Sequence, residues 1–416
     1  MPFSKIIVLA TLSAGSLHGG QWIQQLEPGD FNRDGVVDFV FTTSQEAGFK
    51  PVQPRFYLGN KSRKWVESTQ ALFSGSVPRV FYLSRISVSD FNKDGASDVF
   101  APDNGADAPP YPGGMDYLWI SSVDKKLVDQ SLTLPQIRKA SHGLSVGDIN
   151  HDGYKDVVVN SFALKDRSYD GHPTDFVYLN NKAGGFLDIS GSAIPKRVAW
   201  AGGHSASAIG DFNGDGWGDI FLGAIISPTQ PYDKTSRVLI NNGYGAFEDD
   251  LVYDVPPPPV AEPLVVEAKS FDLNNDGYDD LLLSHTTIIG GSSGPGYDKG
   301  YIQILISDGK GGFTDETNLR YPQDPNKKGS WWKFIRLADI NGDGITDVFL
   351  TGQDTKVSGK VLINDGKGYF QDRFTLSKYA ESGTTIADIT GDGRPEIVCI
   401  DEKGKGRIIA LVNDIR

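Results

Sequence analysis

Nine residues recur seven times along this chain, and that recurrence constrains the fold more than any other feature. The copies are DFNRDGVVD at residue 30, DFNKDGASD at 90, DINHDGYKD at 148, DFNGDGWGD at 211, DLNNDGYDD at 272, DINGDGITD at 339 and DITGDGRPE at 388. Successive starts lie 60, 58, 63, 61, 67 and 49 residues apart. A period of that length signals an array or a propeller. Each copy runs into a short apolar stretch: DFVF, DVFA, DVVV, DIFL, DLLL, DVFL and EIVC. A second apolar stretch follows and ends in turn residues, as in FYLGN, FVYLNN, RVLINN and KVLIND. In four repeats a glycine-rich turn and an aromatic come next: NKAGGF, NGYGAF, DGKGGF and DGKGYF. These are hairpin signals. A further strand leads into each motif, as in SASAIGDF and FIRLADI. Each repeat therefore reads as four strands, a to d, with the motif in the a–b turn. The expectation is an all-β fold, a seven-bladed β-propeller of four-stranded blades. Two or three β-sandwich domains would leave seven similar units unexplained.

Composition agrees. The 416 residues include 49 Gly and 23 Pro, and only 22% are charged, a strand-and-turn profile. A formal net charge of −13 disfavours electrostatic binding of nucleic acid or anionic membranes. Cys399 is the single cysteine, so neither an intrachain disulfide nor a paired-cysteine zinc site can form. No apolar run reaches the ~18 residues that span a bilayer.

The motif has the chemistry of a hard-cation loop. Such an ion takes six to eight oxygens. Position 1 offers Asp30, Asp90, Asp148, Asp211, Asp272, Asp339 and Asp388. Position 3 offers Asn32, Asn92, Asn150, Asn213, Asn274 and Asn341, with Thr390 in the last copy. Position 5 offers Asp34, Asp94, Asp152, Asp215, Asp276, Asp343 and Asp392. Position 9 offers Asp38, Asp98, Asp156, Asp219, Asp280 and Asp347, with Glu396 in the last. The backbone carbonyl of position 7 completes the set, at Val36, Ala96, Tyr154, Trp217, Tyr278, Ile345 and Arg394. Glycine at position 6 permits the left-handed turn around an ion. An EF-hand needs a bidentate Glu at position 12. Here position 12 is Phe41, Ala101, Val159, Leu222, Leu283, Leu350 or Cys399, which excludes it. Asx-rich turns alone would not need three acids within nine residues, since those acids repel. Up to seven Ca²⁺ ions are expected, in structural sites. Seven divalent ions would also bring the charge of −13 close to neutrality.

The N-terminus has two readings. MPFSKIIVLATLSAGS resembles a secretory signal peptide. Alternatively, the last repeat stops at ALVNDIR without a d strand, and residues 1–20 supply it, closing the ring. Residue Phe3 then follows Asn413 at the spacing seen in repeat six. Residues 21–416 form the propeller, one domain.

The stretch SASAIGDFNGDGWGDIFLGAIISP (205–228), with VLINDGKGYF (361–370), resembles the FG-GAP and VCBS repeats of integrin α-chain propellers and their bacterial relatives. The likeness covers nearly the whole chain, although the FG dipeptide is poorly kept. It implies calcium in the seven loops. It does not fix function, because relatives include adhesion receptors, lectins and polysaccharide lyases.

Strands of a blade run up and down, so a–b and c–d turns share one face and b–c and d–a connections share the other. The b–c connections of repeats two to five are long and carry Tyr111, Tyr169, Tyr232 and Tyr297; Trp331 and Trp332 lie in a d–a connection. These aromatics are the candidates for a ligand face opposite the motif loops. His18, His142 and His204 precede motifs and read as hydrogen-bonding residues more readily than catalytic ones. The expected function is an extracellular, cell-surface or periplasmic binding or adhesion module for a glycan or protein. The alternative is a carbohydrate-active lyase or hydrolase with its site on the same face. No catalytic residues are assigned, and the reading favours a module without catalysis.

Overall fold

A computed structural model describes residues 3–11, 21–45, 50–106, 112–162, 174–199, 203–225, 235–261, 263–289, 296–325, 331–352, 359–376, 383–401 and 407–413. The protein is an all-β propeller of four-stranded antiparallel blades. Six sheets are each built from four consecutive strands, and a seventh joins the two ends of the chain. Blade one is typical, with strands Gln21–Gly29, Asp38–Gln45, Arg55–Leu58 and Val66–Glu67. Blades two to six follow over residues 87–129, 140–188, 204–254, 263–315 and 334–376. The seventh sheet pairs Thr384–Ala387, Glu396–Asp401 and Arg407–Asn413 with Phe3–Thr11 from the start of the chain. In that pairing Phe3 faces Asn413 and Thr11 faces Arg407.

Burial explains why the b strands read as unbroken apolar runs. They are covered on both faces, so successive side chains pack against opposite neighbours. In blade one, Val40 packs toward blade two with Phe31, Val99 and Trp119. Its neighbours Phe39 and Phe41 pack toward blade seven with Val398 and Ile400. Seven such clusters fill the seven junctions, including those between blades six and seven and between seven and one. The core is thus a ring of inter-blade layers, and no blade buries its own apolar surface alone.

Two features differ from the sequence expectation. In blades one, two, three and five the d strand is two or three residues long and is followed by a single helical turn. In blade five, residues 284–300 read as a loop. There the b and c strands instead run on as a long hairpin, Asp280–Ile289 against Gly296–Ser307.

Candidate functional site

The seven motif loops share one construction. Position 2 is a buried apolar anchor in every copy: Phe31, Phe91, Ile149, Phe212, Leu273, Ile340 and Ile389. Position 6 glycine has φ between +76° and +94° throughout. Position 4 is also left-handed, which the sequence did not announce, because Arg33, Lys93, His151 and Asn275 carry it at φ 53° to 61°. The wrap of the loop, not the residue type, imposes that conformation.

The carboxylates divide into two classes. At position 1 both oxygens accept backbone N–H groups from positions 5 and 6, as in Asp211 from Asp215 (3.0 Å) and Gly216 (2.9 Å). At position 5, one oxygen accepts the N–H of position 7, as in Asp215 from Trp217 at 2.9 Å. These groups line the exposed rim. Position 9 is different, because Asp38, Asp98, Asp156, Asp219, Asp280 and Asp347 are fully buried. Each accepts the N–H of position 2 and the N–H at the end of strand c. For Asp219 these donors are Phe212 and Asn241, both at 2.8 Å; for Asp156 they are Ile149 and Asn180, also both at 2.8 Å. Position 9 therefore staples the motif to strand c.

In blades three to six the residue that ends strand c extends this staple to the preceding blade. Asn180 Nδ2 donates to Phe91 O (2.8 Å), and Asn241 Nδ2 to Ile149 O (2.9 Å). Ser307 Oγ donates to Phe212 O (2.6 Å), and Asn364 Nδ2 to Leu273 O (3.2 Å). The polar turn residues of NN and ND were visible in the sequence as turn formers, but their inter-blade reach was not. Neighbouring loops also touch: His151 Nδ1 lies 2.5 Å from Gly216 O, and Arg63 Nη2 donates to Thr390 O (2.9 Å) across the ring closure.

Burial pushes the position 9 carboxyls up to about 7 for Asp38, Asp156, Asp219 and Asp280, and to about 6 for Asp98 and Asp347. The staple hydrogen bonds oppose this shift, while the position 5 carboxylate beside each group adds to it. Glu396 is raised for the same reason. Two loops carry a cation of their own: Lys182 Nζ sits 3.2 Å from Asp152, and Arg394 Nη2 3.2 Å from Asp392.

The donor set suits a hard divalent ion. It holds three carboxylates, an amide or hydroxyl oxygen and a main-chain carbonyl within nine residues. Asn32 Oδ1 is buried and accepts no hydrogen bond, whereas in blades two to six the corresponding oxygen accepts the N–H of position 5, as in Asn213 from Asp215 at 3.1 Å. Among the described residues, no three His, Cys, Asp or Glu side chains converge into a ready-made ion position. The carboxylates spend their oxygens on backbone N–H groups instead, each keeping further lone pairs free.

The aromatic candidates fare differently. Trp332 is buried in the layer between blades five and six, which corrects its assignment to a ligand face: leading into strand a, it packs against the neighbouring blade. Trp331 is half-buried beside it. Tyr297 pairs through its backbone with Ile288 in the long hairpin. Tyr111, Tyr169 and Tyr232, like His18, lie outside the described residues. His142 Nδ1 contacts Ala140 O at 3.3 Å, and buried His204 holds Asp175 at 2.5 Å.

The family profile described as FG-GAP-like repeat matches residues 30–101, 90–159, 211–283, 272–350 and 339–399, well over half of the chain. The chain belongs to the FG-GAP-like repeat family. Among curated proteins, it is 32% identical to integrin alpha-8 of Gallus gallus over 108 residues, 24% of this chain and 10% of that protein. It is 31% identical to integrin alpha-7 of Mus musculus over 150 residues, 34% of this chain and 12% of that protein. The aligned stretches thus span about a tenth of the length of these relatives. Among solved structures, the rhamnogalacturonan lyase YesW aligns with all of this chain and 76% of its own, with TM-score 0.50 and 13% identity; this likeness concerns the fold alone. No helix among the described residues is long and apolar enough to cross a membrane.

Proposed function

We propose that this FG-GAP-like propeller is a calcium-stabilised binding module, working outside the cytosol and recognising a glycan or protein on the face opposite the motif loops. The observation that carries the calcium part is the set of buried position 9 carboxylates, each facing further carboxylates of its own loop. Burial and like charge make that arrangement costly at neutral pH. A bound divalent cation supplies the opposite charge that holds these carboxylates ionised. The chain's part is to present Asp at positions 1, 5 and 9, the position 3 side chain and the position 7 carbonyl around one point. The loops then act on the scaffold, because the staples tie the loops of blades one to six to strand c and, in blades three to six, to the preceding blade as well. Extracellular calcium modules bind with Kd around 10⁻⁴–10⁻³ M, far above cytosolic calcium, and this supports an extracellular, cell-surface or periplasmic location.

Recognition of the glycan or protein partner falls to the other face, because the rim of the loop face is taken up by the motif loops. The b–c connections there differ in length, from thirteen residues in blade two (103–115) to five residues in blade seven (402–406). Unequal loops on a rigid ring are a common basis for selective binding. A glycan array with and without calcium, run beside a polysaccharide-degradation screen, tests this function. Calcium-dependent binding with no polymer cleaved is the expected result. Turnover of a polymer, abolished by substitutions in the b–c connections, would overturn it in favour of a carbohydrate-active enzyme.

A further inference from the structure

The axis of the propeller holds a cavity of about 360 Å³, toward the small end of the range for small-molecule sites. Its wall has a simple origin in sequence. The residue three places before each motif lines it in blades one to six: Glu27, Ser87, Ser145, Ala208, Lys269 and Arg336. On one side these are small or hydroxylated, and on the other they are charged.

One end of the cavity is blocked. Arg85 lies five residues before its motif, ahead of the short strand Ser87–Ser89 that leads to the loop. Its guanidinium crosses the axis from blade two to donate to Val266 O (2.8 Å) and Lys333 O (2.9 Å). It also pairs with Glu267 at 2.9 Å and lies 4.7 Å over the Phe334 ring. Lys333 in turn reaches Gln24 of blade one, 3.0 Å from Oε1. Four blades are thus tied together beneath the cavity, which leaves the loop face as its mouth.

The charges in the wall do not cancel. Four cations, Arg85, Lys155, Lys269 and Arg336, meet two acids, Glu27 and Glu267. Both acids are already committed. Glu267 holds Arg85 and, at 2.8 Å, Lys269; Glu27 holds Arg336 and the Gln25 amide. Arg336 Nε has no hydrogen-bond partner, and the Lys269 side chain remains 37% exposed. An excess of positive charge in a recess of a chain with net charge −13 is a local arrangement, not a reflection of composition. Low-dielectric walls strengthen its field.

We propose that the axial cavity is a binding site for a small hydroxylated carboxylate, about the size of one sugar acid, entering from the loop face. The carboxylate sits against Lys269 and Arg336, and its hydroxyls face Ser87, Ser89 and Ser145. This site is separate from the ligand face proposed above and lies at the other end of the axis.

The test is isothermal titration of the calcium-loaded chain at low salt with D-glucuronate, D-glucose and sulfate. Glucuronate binds the wild type and glucose does not. Lys269→Met, which leaves Glu267 paired with Arg85, weakens glucuronate binding at least about tenfold, the loss of one charge-assisted contact. Ser87→Leu fills the cavity without changing charge and removes binding, with the melting temperature recorded to show that the variant is folded. Comparing glucuronate with a disaccharide ending in glucuronate separates the two sources. Equal affinity supports the end of a glycan chain, and exclusion of the disaccharide supports a free acid. No binding of glucuronate at about 10 mM, a Kd above about that concentration, overturns the proposal. So does equal affinity for wild type and Lys269→Met, or sulfate binding as tightly as glucuronate.

Discussion

The loop rim and the axial channel are built by the same strands, yet one repeats and the other does not. At the rim, blades one to six place the same residue types in the same contacts, down to the buried Asp that accepts two backbone N–H groups, and blade seven keeps the pattern with Thr390 and Glu396. Along the axis, the residue three places before the motif is Glu, Ser, Ser, Ala, Lys or Arg in blades one to six. The rim has a task shared by blades one to six, holding strand c, and in blades three to six also the preceding neighbour. The axis has seven inward strands meeting once, so each contributes something different to one shared space. A repeat protein can individualise its axis with little disturbance to the scaffold, because, Ala208 apart, the residues that close the inter-blade layers are others.

The comparison can be broken most decisively at the rim by chelating divalent cations. If each loop binds calcium about tenfold below the ambient concentration, each contributes roughly 1.4 kcal/mol to stability. EDTA should then lower the melting temperature by more than about 10 °C, since several such contributions add up to a large part of a domain's net stability.

The next largest effect separates the two classes of carboxylate. Asp219→Ala leaves the N–H groups of Phe212 and Asn241 buried without an acceptor, at a cost of about 3 kcal/mol even in EDTA. Asp215→Ala, at exposed position 5, should cost less than about 1 kcal/mol in EDTA. Urea denaturation of both variants with and without calcium reads the difference. Equal costs in EDTA would show that position 9 has no stapling role.

The pH dependence follows from the raised carboxyls. Asp38, Asp156, Asp219 and Asp280 have a folded value of about 7 against an ordinary 3.8. The folded chain therefore holds protons that the unfolded chain releases. The stability this gives is fully present below the unfolded value and is lost as the pH rises through about 7. Calcium-free protein should melt higher at about pH 5 than at about pH 8, and saturating calcium should remove that trend. The smallest effect concerns backbone strain alone. Gly35 has φ +76° and nothing within 4 Å of an added Cβ. Gly35→Ala should cost about 1 kcal/mol, the penalty of a left-handed alanine, measurable by the same denaturation.

Much of the rim was legible in the sequence, because the period, the acid spacing and the glycine at position 6 each carry a local physical signal. The four-stranded blade also followed from the hairpin signals around each motif. What was not legible depends on the ring being closed. Asn180 and Asn241 look like ordinary turn residues until the preceding blade comes within reach. Trp332 looks like a surface aromatic in a connection, and only the packing of blade six on blade five buries it. Glu27, Lys269 and Arg336 look like solvated charges on separate strands, 309 residues apart at the extremes, until the axis brings them into one wall. The strand Phe3–Thr11 had two sequence readings, and its pairing with Arg407–Asn413 depends on a contact between the chain ends.

The central claim is that the rim loops hold cations, and calcium stoichiometry tests it most directly. Equilibrium dialysis of the metal-stripped chain against millimolar calcium should find several ions per chain, up to seven, with Asp215→Ala removing one. Less than one ion bound per chain, or an unchanged count in that variant, would contradict the account.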